Sequence, residues 1–178
     1  FAAKKYNSNI AIEDKEKKIT FIEIYLEAKK VAKFLINNQI KVGDRVSIYM
    51  SKSINQVISI IGVSLAGGVF VPILPNLKKD SLKHIINHSG TKILITDSKK
   101  LSEIKILQFK GKLFVFDDFY KKSNKRNIKF QVSKIRNVDN IKKKINKNSD
   151  AAIIYSSRYT GMTKCSIIPH KNIEHVAK

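Results

Sequence analysis

Short apolar runs alternate with segments of helical period along most of this chain, and that alternation limits the folds open to it. Residues 45–50, 69–73, 92–96 and 113–116 are rich in Val, Ile, Leu and Phe and have the length of strands. Between and before them, apolar residues recur every three or four positions. Phe21, Ile24, Ala28, Val31, Ala32 and Leu35 give a helix running to about Asn38. Further helices are expected from Ser53 to about Ala66, over 77–87, and, more weakly, over 98–106. Thr20 with Glu23, and Ser53 with Gln56, read as capping boxes at two of the helix starts. Residues 10–12 and 18–20 read as two short strands about a charged turn. The alternation predicts an α/β fold, a mostly parallel sheet flanked by helices.

Residues 57–74 carry no charge and approach the length of a bilayer span. Gly67 and Gly68 break the run, Pro72 follows, and Ser59 and Ser64 interrupt it. A buried helix, a turn and a buried strand are expected there, with no membrane span. Gly43 and Asp44 mark another turn.

The formal charge is +21, from 35 Lys and Arg against 14 Asp and Glu. Arginine contributes only at positions 45, 126, 136 and 158, and it is arginine that reads bases and grips phosphate in two-pronged fashion. Lysine excess of this kind predicts weak, salt-sensitive association and no specific nucleic-acid site. Residues 120–149 are the Lys/Asn-rich part of the chain and read as a solvated connection, with a short strand at 128–132 and a short helix at 141–145. The single cysteine, Cys165, excludes an internal disulfide and a cysteine-based metal cluster, which suits a reducing, cytoplasmic setting. His84 and His88 lie one helical turn apart, but Ile85 stands where a zinc protease has glutamate, so they read as surface residues and no metal ligand set is assigned. No catalytic acid, base or nucleophile is identified.

The chemistry-bearing segment is the run from Ala151 to Lys164. An apolar stretch with strand character opens into a loop holding Ser156, Ser157, Thr160, Gly161 and Lys164. Hydroxyls and backbone N–H groups donate to phosphate oxygens, glycine allows close backbone approach, and lysine supplies charge. The spacing is not that of a Walker A loop, and Cys165 follows the lysine.

This loop resembles the Ser/Thr-Ser-Gly-Ser/Thr-Thr-Gly-x-Pro-Lys-Gly signature of the adenylate-forming (AMP-binding) superfamily. Arg158 replaces a glycine of that signature, Tyr159 a small hydroxyl residue, Thr163 the proline and Cys165 the last glycine. Residues 19–24 are similar to the family's Thr-Tyr-x-Glu-Leu segment, 42–46 to its Gly-Asp-Arg-Val turn and 66–72 to its Ala-Gly-Gly-x-Tyr-Val-Pro block. They occur in family order, and His170 resembles a recurring position at the start of the next helix, with a structural or capping role.

The resemblance implies that residues 1–178 are a partial N-terminal AMP-binding domain, the front part of the large N-terminal subdomain, with 120–149 as a variable connection inside it. It implies ATP and Mg2+, contacts to phosphate from Ser156, Ser157 and Thr160, a tight loop at Gly161 and charge from Lys164. The expected reaction is ATP-dependent activation of a small-molecule carboxylic acid as an acyl-adenylate, then thioester formation on coenzyme A or a carrier-protein pantetheine. An acyl-CoA synthetase is the first expectation, an amino-acid adenylation domain of a peptide synthetase the second, and a noncatalytic binding or structural module the third. The remainder of the same polypeptide is the expected partner, and the chain alone is expected to be inactive.

Overall fold

The computed structural model describes residues 2–14, 17–117, 145–156 and 164–176. A short helix α1 (Ala2–Lys5) precedes an antiparallel pair, β1 (Ile10–Glu13) and β2 (Lys18–Thr20). Helix α2 (Phe21–Asn37) starts at Thr20, whose Oγ1 accepts from the Glu23 N–H at 3.4 Å while Glu23 Oε2 accepts from the Thr20 N–H at 2.8 Å. The expected capping box is therefore complete. The α2 face carrying Ile24, Ala28, Val31, Ala32 and Leu35 is buried, as its spacing requires.

The main sheet follows: β3 (Arg45–Tyr49), α3 (Ile54–Leu65), β4 (Val69–Ile73), α4 (Lys79–His88), β5 (Ile93–Thr96), α5 (Leu101–Ile106), β6 (Lys112–Val115), β7 (Asp150–Ser156), β8 (Lys164–Pro169) and α6 (His170–Val176). The spatial order is β6-β5-β3-β4-β7-β8. Every neighbouring pair is parallel except β7 with β8. The chain moves from β3 to β4 on one side, then crosses back to β5 on the other. That reversal places α2 and α3 on one face and α4 and α5 on the opposite face. One apolar core joins Val31, Leu35, Val46, Ile48, Ile58, Val63, Ile95 and Phe116. The second joins Tyr49, Val71, Ile73, Leu82, Ile85, Leu94 and Ile104. Alternate residues of β3 feed the two cores, the pleat's period of two.

Residues 57–74 form the greater part of α3, a turn and β4, and no described helix is long and apolar enough to cross a membrane. Gly67 has φ +77°, and its carbonyl accepts from the Gly43 N–H at 2.9 Å. The turn thus needs a residue free to adopt left-handed geometry. Gly62 serves a different purpose: a Cβ there would lie 2.7 Å from Val31 Cβ, so its absence lets α3 seat against α2.

Three expectations are corrected. Ser53 Oγ accepts from the Gln56 N–H at 3.3 Å, but the reciprocal side-chain bond is absent, so α3 has an N-cap and not a box. Helix α5 starts at Leu101, not near Ser98, because the Asp97 carboxylate turns the chain by accepting from the Lys100 N–H at 2.9 Å. Lys164, expected in the loop, is the first residue of a strand, β8, that runs to Pro169. The strand expected at 128–132, and the helix at 141–145 except Ile145, lie outside the described residues.

Candidate phosphate-binding hairpin

The candidate site sits at the join of β7 and β8. Strand β7 is parallel to β4 through Phe70 and Ala152, which fixes its pleat against the sheet. Ile153 and Tyr155 pack on the core under α4 and α5. Ser156, one residue on, therefore faces the other side. Strand β8 returns antiparallel with Ser156 opposite Lys164 and Tyr155 opposite Cys165. Opposed residues of an antiparallel pair share a face with Cβ atoms about 5 Å apart. A hydroxyl and an ammonium group thus stand side by side at the mouth of the loop, and both residues are exposed.

Ser157, Thr160 and Gly161 lie in 157–163, outside the described residues. The two loop residues that can be placed, Ser156 and Lys164, are brought together as direct register partners. Their chemistry, a hydroxyl donor and a cation, suits an anionic oxygen ligand.

The far side of the hairpin carries a different group. Tyr155 Oη lies 2.8 Å from His88 Nδ1 on α4, with the rings edge to face at 5.8 Å. Burial, and secondarily the Cys165 thiol group, push the Tyr155 phenol above its ordinary range, so it stays neutral. His84 and His88 are exposed, as expected from the sequence, and their rings stack at 5.3 Å. The expected structural part of His170 is carried by its backbone: its N–H donates to Ser149 O at 3.0 Å at the start of α6. Burial lowers the pKa of its imidazole.

A second hollow, of about 590 Å³, opens beyond the carboxyl ends of β3 and β5, where the strand order reverses. Ser51, Lys52, Asp97, Lys99 and Asp117 line it. Its carboxylates already hold backbone: Asp97 accepts from the Ser51 N–H at 2.9 Å, and Asp117 accepts from the Ser98 N–H at 2.8 Å. Nearby, buried Tyr49 donates to Glu103 and to Pro75 O, tying α5 and the β4–α4 connection to the sheet. Burial, then that carboxylate, push the Tyr49 phenol well above its usual range.

Sequence reading missed β8 and the Tyr155–His88 contact. Ile167 and Ile168 before Pro169 were a strand signal, since proline is tolerated at strand ends and edges. Reading Lys164 only as the loop's last residue hid it. The His88 contact joins residues far apart in sequence, and spacing carries no trace of it.

A family profile described as "AMP-binding enzyme" matches residues 1–178. The chain belongs to the AMP-binding enzyme family. Among curated relatives of this family member, Gramicidin S synthase 1 of Brevibacillus brevis is 28% identical over 169 residues, 95% of this chain and 14% of that protein. Tyrocidine synthase 1 of Brevibacillus parabrevis is 25% identical over 174 residues, 98% of this chain and 15% of that protein. The chain therefore spans a small part of these relatives. Solved structures share its fold, two of them as follows. The NpsA N-terminal subdomain of Klebsiella oxytoca, in complex with 3-hydroxybenzoyl-AMSN, aligns with TM-score 0.79 at 20% identity, over 99% of this chain and 41% of that one. VinN, in complex with 3-methylaspartate, aligns with TM-score 0.82 at 19% identity, over 99% of this chain and 47% of that one.

Proposed function

We propose that this chain is the N-terminal part of an amino-acid adenylation domain of a peptide synthetase. It would act with the rest of its polypeptide to activate an amino acid with ATP. The carboxylate attacks the α-phosphate, an acyl-adenylate forms and pyrophosphate leaves; a carrier-protein thiol then attacks the acyl carbon, a thioester forms and AMP leaves. The observation that carries this reading is the family match across residues 1–178, together with synthetase relatives that align over nearly the whole chain. Those relatives favour peptide synthetase over acyl-CoA synthetase, the sequence's first expectation.

In this reading the hairpin mouth holds phosphate. Ser156, Ser157 and Thr160 donate hydroxyl hydrogen bonds, Gly161 permits close backbone approach, and Lys164 balances charge that grows at the reacting phosphate. The Ser156–Lys164 pairing supports it by placing a donor and a cation on one face. Magnesium, implied by the family, would neutralise triphosphate charge when bound. Arg158 and Tyr159 alter the loop's family pattern, and Arg158 adds a second cation in sequence.

The test is amino-acid-dependent exchange of pyrophosphate into ATP by the full polypeptide. Exchange with one amino acid is expected, and exchange only with fatty acids overturns the amino-acid assignment. Lys164→Ala is expected to weaken ATP binding by about 1–3 kcal/mol, the value of a hydrogen bond to a charged group. Unchanged ATP affinity in Lys164→Ala removes the lysine from the site. The Arg158→Gly, Tyr159→Ser double variant asks whether the altered loop limits the rate; a faster exchange says that it does.

A further inference from the structure

We propose that His84 and His88 form a two-histidine chelate for a divalent transition-metal cation of the zinc, nickel or copper class. The site lies on the exposed face of α4, on the side of the sheet opposite to Ser156 and Lys164. Three observations carry it.

The first is spacing within a formed helix. Residues four apart stand one above the other, and here both rings lie over the same face with centroids 5.3 Å apart and planes within 29°. The second is the state of the ring nitrogens. His88 Nδ1 is engaged by Tyr155 Oη at 2.8 Å, which leaves Nε2 as the nitrogen directed elsewhere. A metal on Nε2 requires the proton on Nδ1, and that N–H then donates to the phenol oxygen. Metal-bound histidines are commonly oriented by such a partner on the second nitrogen. Tyr155 meets the requirement because its phenol oxygen, 2.8 Å away, has lone pairs that can accept. The third is the hollow itself, about 540 Å³, lined by Asp80, Lys83, His84, Asn87 and His88. Asp80 offsets cation charge there and Lys83 opposes it.

Among the described residues, no three His, Cys, Asp or Glu side chains gather as a metal cage. The chelate thus has two protein ligands, with water completing the sphere, and the order of affinity is set by the metal: copper above nickel and zinc. Its occupant would fix the His88 tautomer and tighten the link from α4 to β7, whose last residue, Ser156, opens the hairpin loop.

The experiment is calorimetric titration of the full polypeptide with Zn2+ alone and Ni2+ alone, with circular dichroism to confirm that each variant keeps its fold. Saturable binding is expected, weakened about tenfold or more in His84→Gln and in His88→Gln. Tyr155→Phe removes the orienting contact and keeps both ligands, and it is expected to weaken binding by about tenfold, the low end for loss of an outer partner. Lys83→Gln is expected to tighten it. Binding unchanged in the His84→Gln, His88→Gln double variant, or no saturable binding by the parent at millimolar metal, overturns the proposal.

Discussion

Strands β3 and β8 belong to one sheet and are built on opposite plans. Beyond its first residue, β3 is wholly buried, with Val46 and Ile48 in one core and Tyr49 in the other. Strand β8 is exposed from Lys164 through Ile167, and the helix after it, α6, buries no residue. The inner strand is fixed by packing on two faces, so changes there act through volume. The outer strand is held mainly by its ladder to β7, so changes there act on chemistry at the surface. In this molecule stability resides in the centre, and the candidate binding groups stand at the edge.

Substitutions can break or sharpen that contrast. The largest effect is expected from Leu35→Ala, at a residue with no exposure in the core under α2 and α3. A loss of about 2–5 kcal/mol is expected in urea unfolding of the polypeptide. A loss below 1 kcal/mol contradicts a tightly packed centre. Gly62→Ala comes next, because the added methyl meets Val31 at 2.7 Å in the α2–α3 seam. Overpacking there is expected to cost about 1–3 kcal/mol. A neutral outcome means the helices move apart freely.

Acid titration probes the amino end of the sheet. Burial raises the Asp44 carboxyl, but the hydrogen bonds from Lys92 and the Lys41 N–H outweigh it, and the net pKa is lowered. A depressed carboxylate adds stability above its unfolded value, near 4, and loses it as pH falls through the folded value. Stability is therefore expected to fall on acidification below about pH 4. Asp44→Asn should flatten that part of the profile; an identical profile in the variant removes Asp44 as its source. The smallest effect is expected from Ile167→Ser on β8, where the side chain is 58% exposed. Its unfolding free energy should stay within about 0.5 kcal/mol of the parent. A large loss shows that β8 is covered by a part of the polypeptide outside these residues.

The same contrast explains what could be read before any coordinates. The central strands and their helices were legible because burial on two faces leaves runs of Val, Ile and Leu, and because Thr20 and Glu23 mark a helix start chemically. Gly67 and Pro72 showed that 57–74 turns and does not span. Strand β8 was harder because Lys164, Cys165 and Ser166 face water and leave no apolar period. Of the candidate site, the sequence supplied residue types and the resemblance supplied their roles. The pairing of Ser156 with Lys164, and of Tyr155 with His88, depends on strand register and sheet packing, which one-dimensional spacing does not encode.

That register has an engineering consequence. Ser156 and Lys164 are register partners in the β7–β8 ladder, so the loop is bounded by two paired posts. Another segment of the same length grafted between the posts is expected to leave the ladder from Tyr155 and Cys165 to Asp150 and Pro169 in place. Removing a single residue from β8 is a different operation. It slides the strand by one position and turns its side chains to the opposite face, taking the lysine away from the serine. Loop exchange should therefore remove the groups at 157, 160 and 161 while keeping the Ser156–Lys164 pairing, whereas strand deletion breaks that pairing itself.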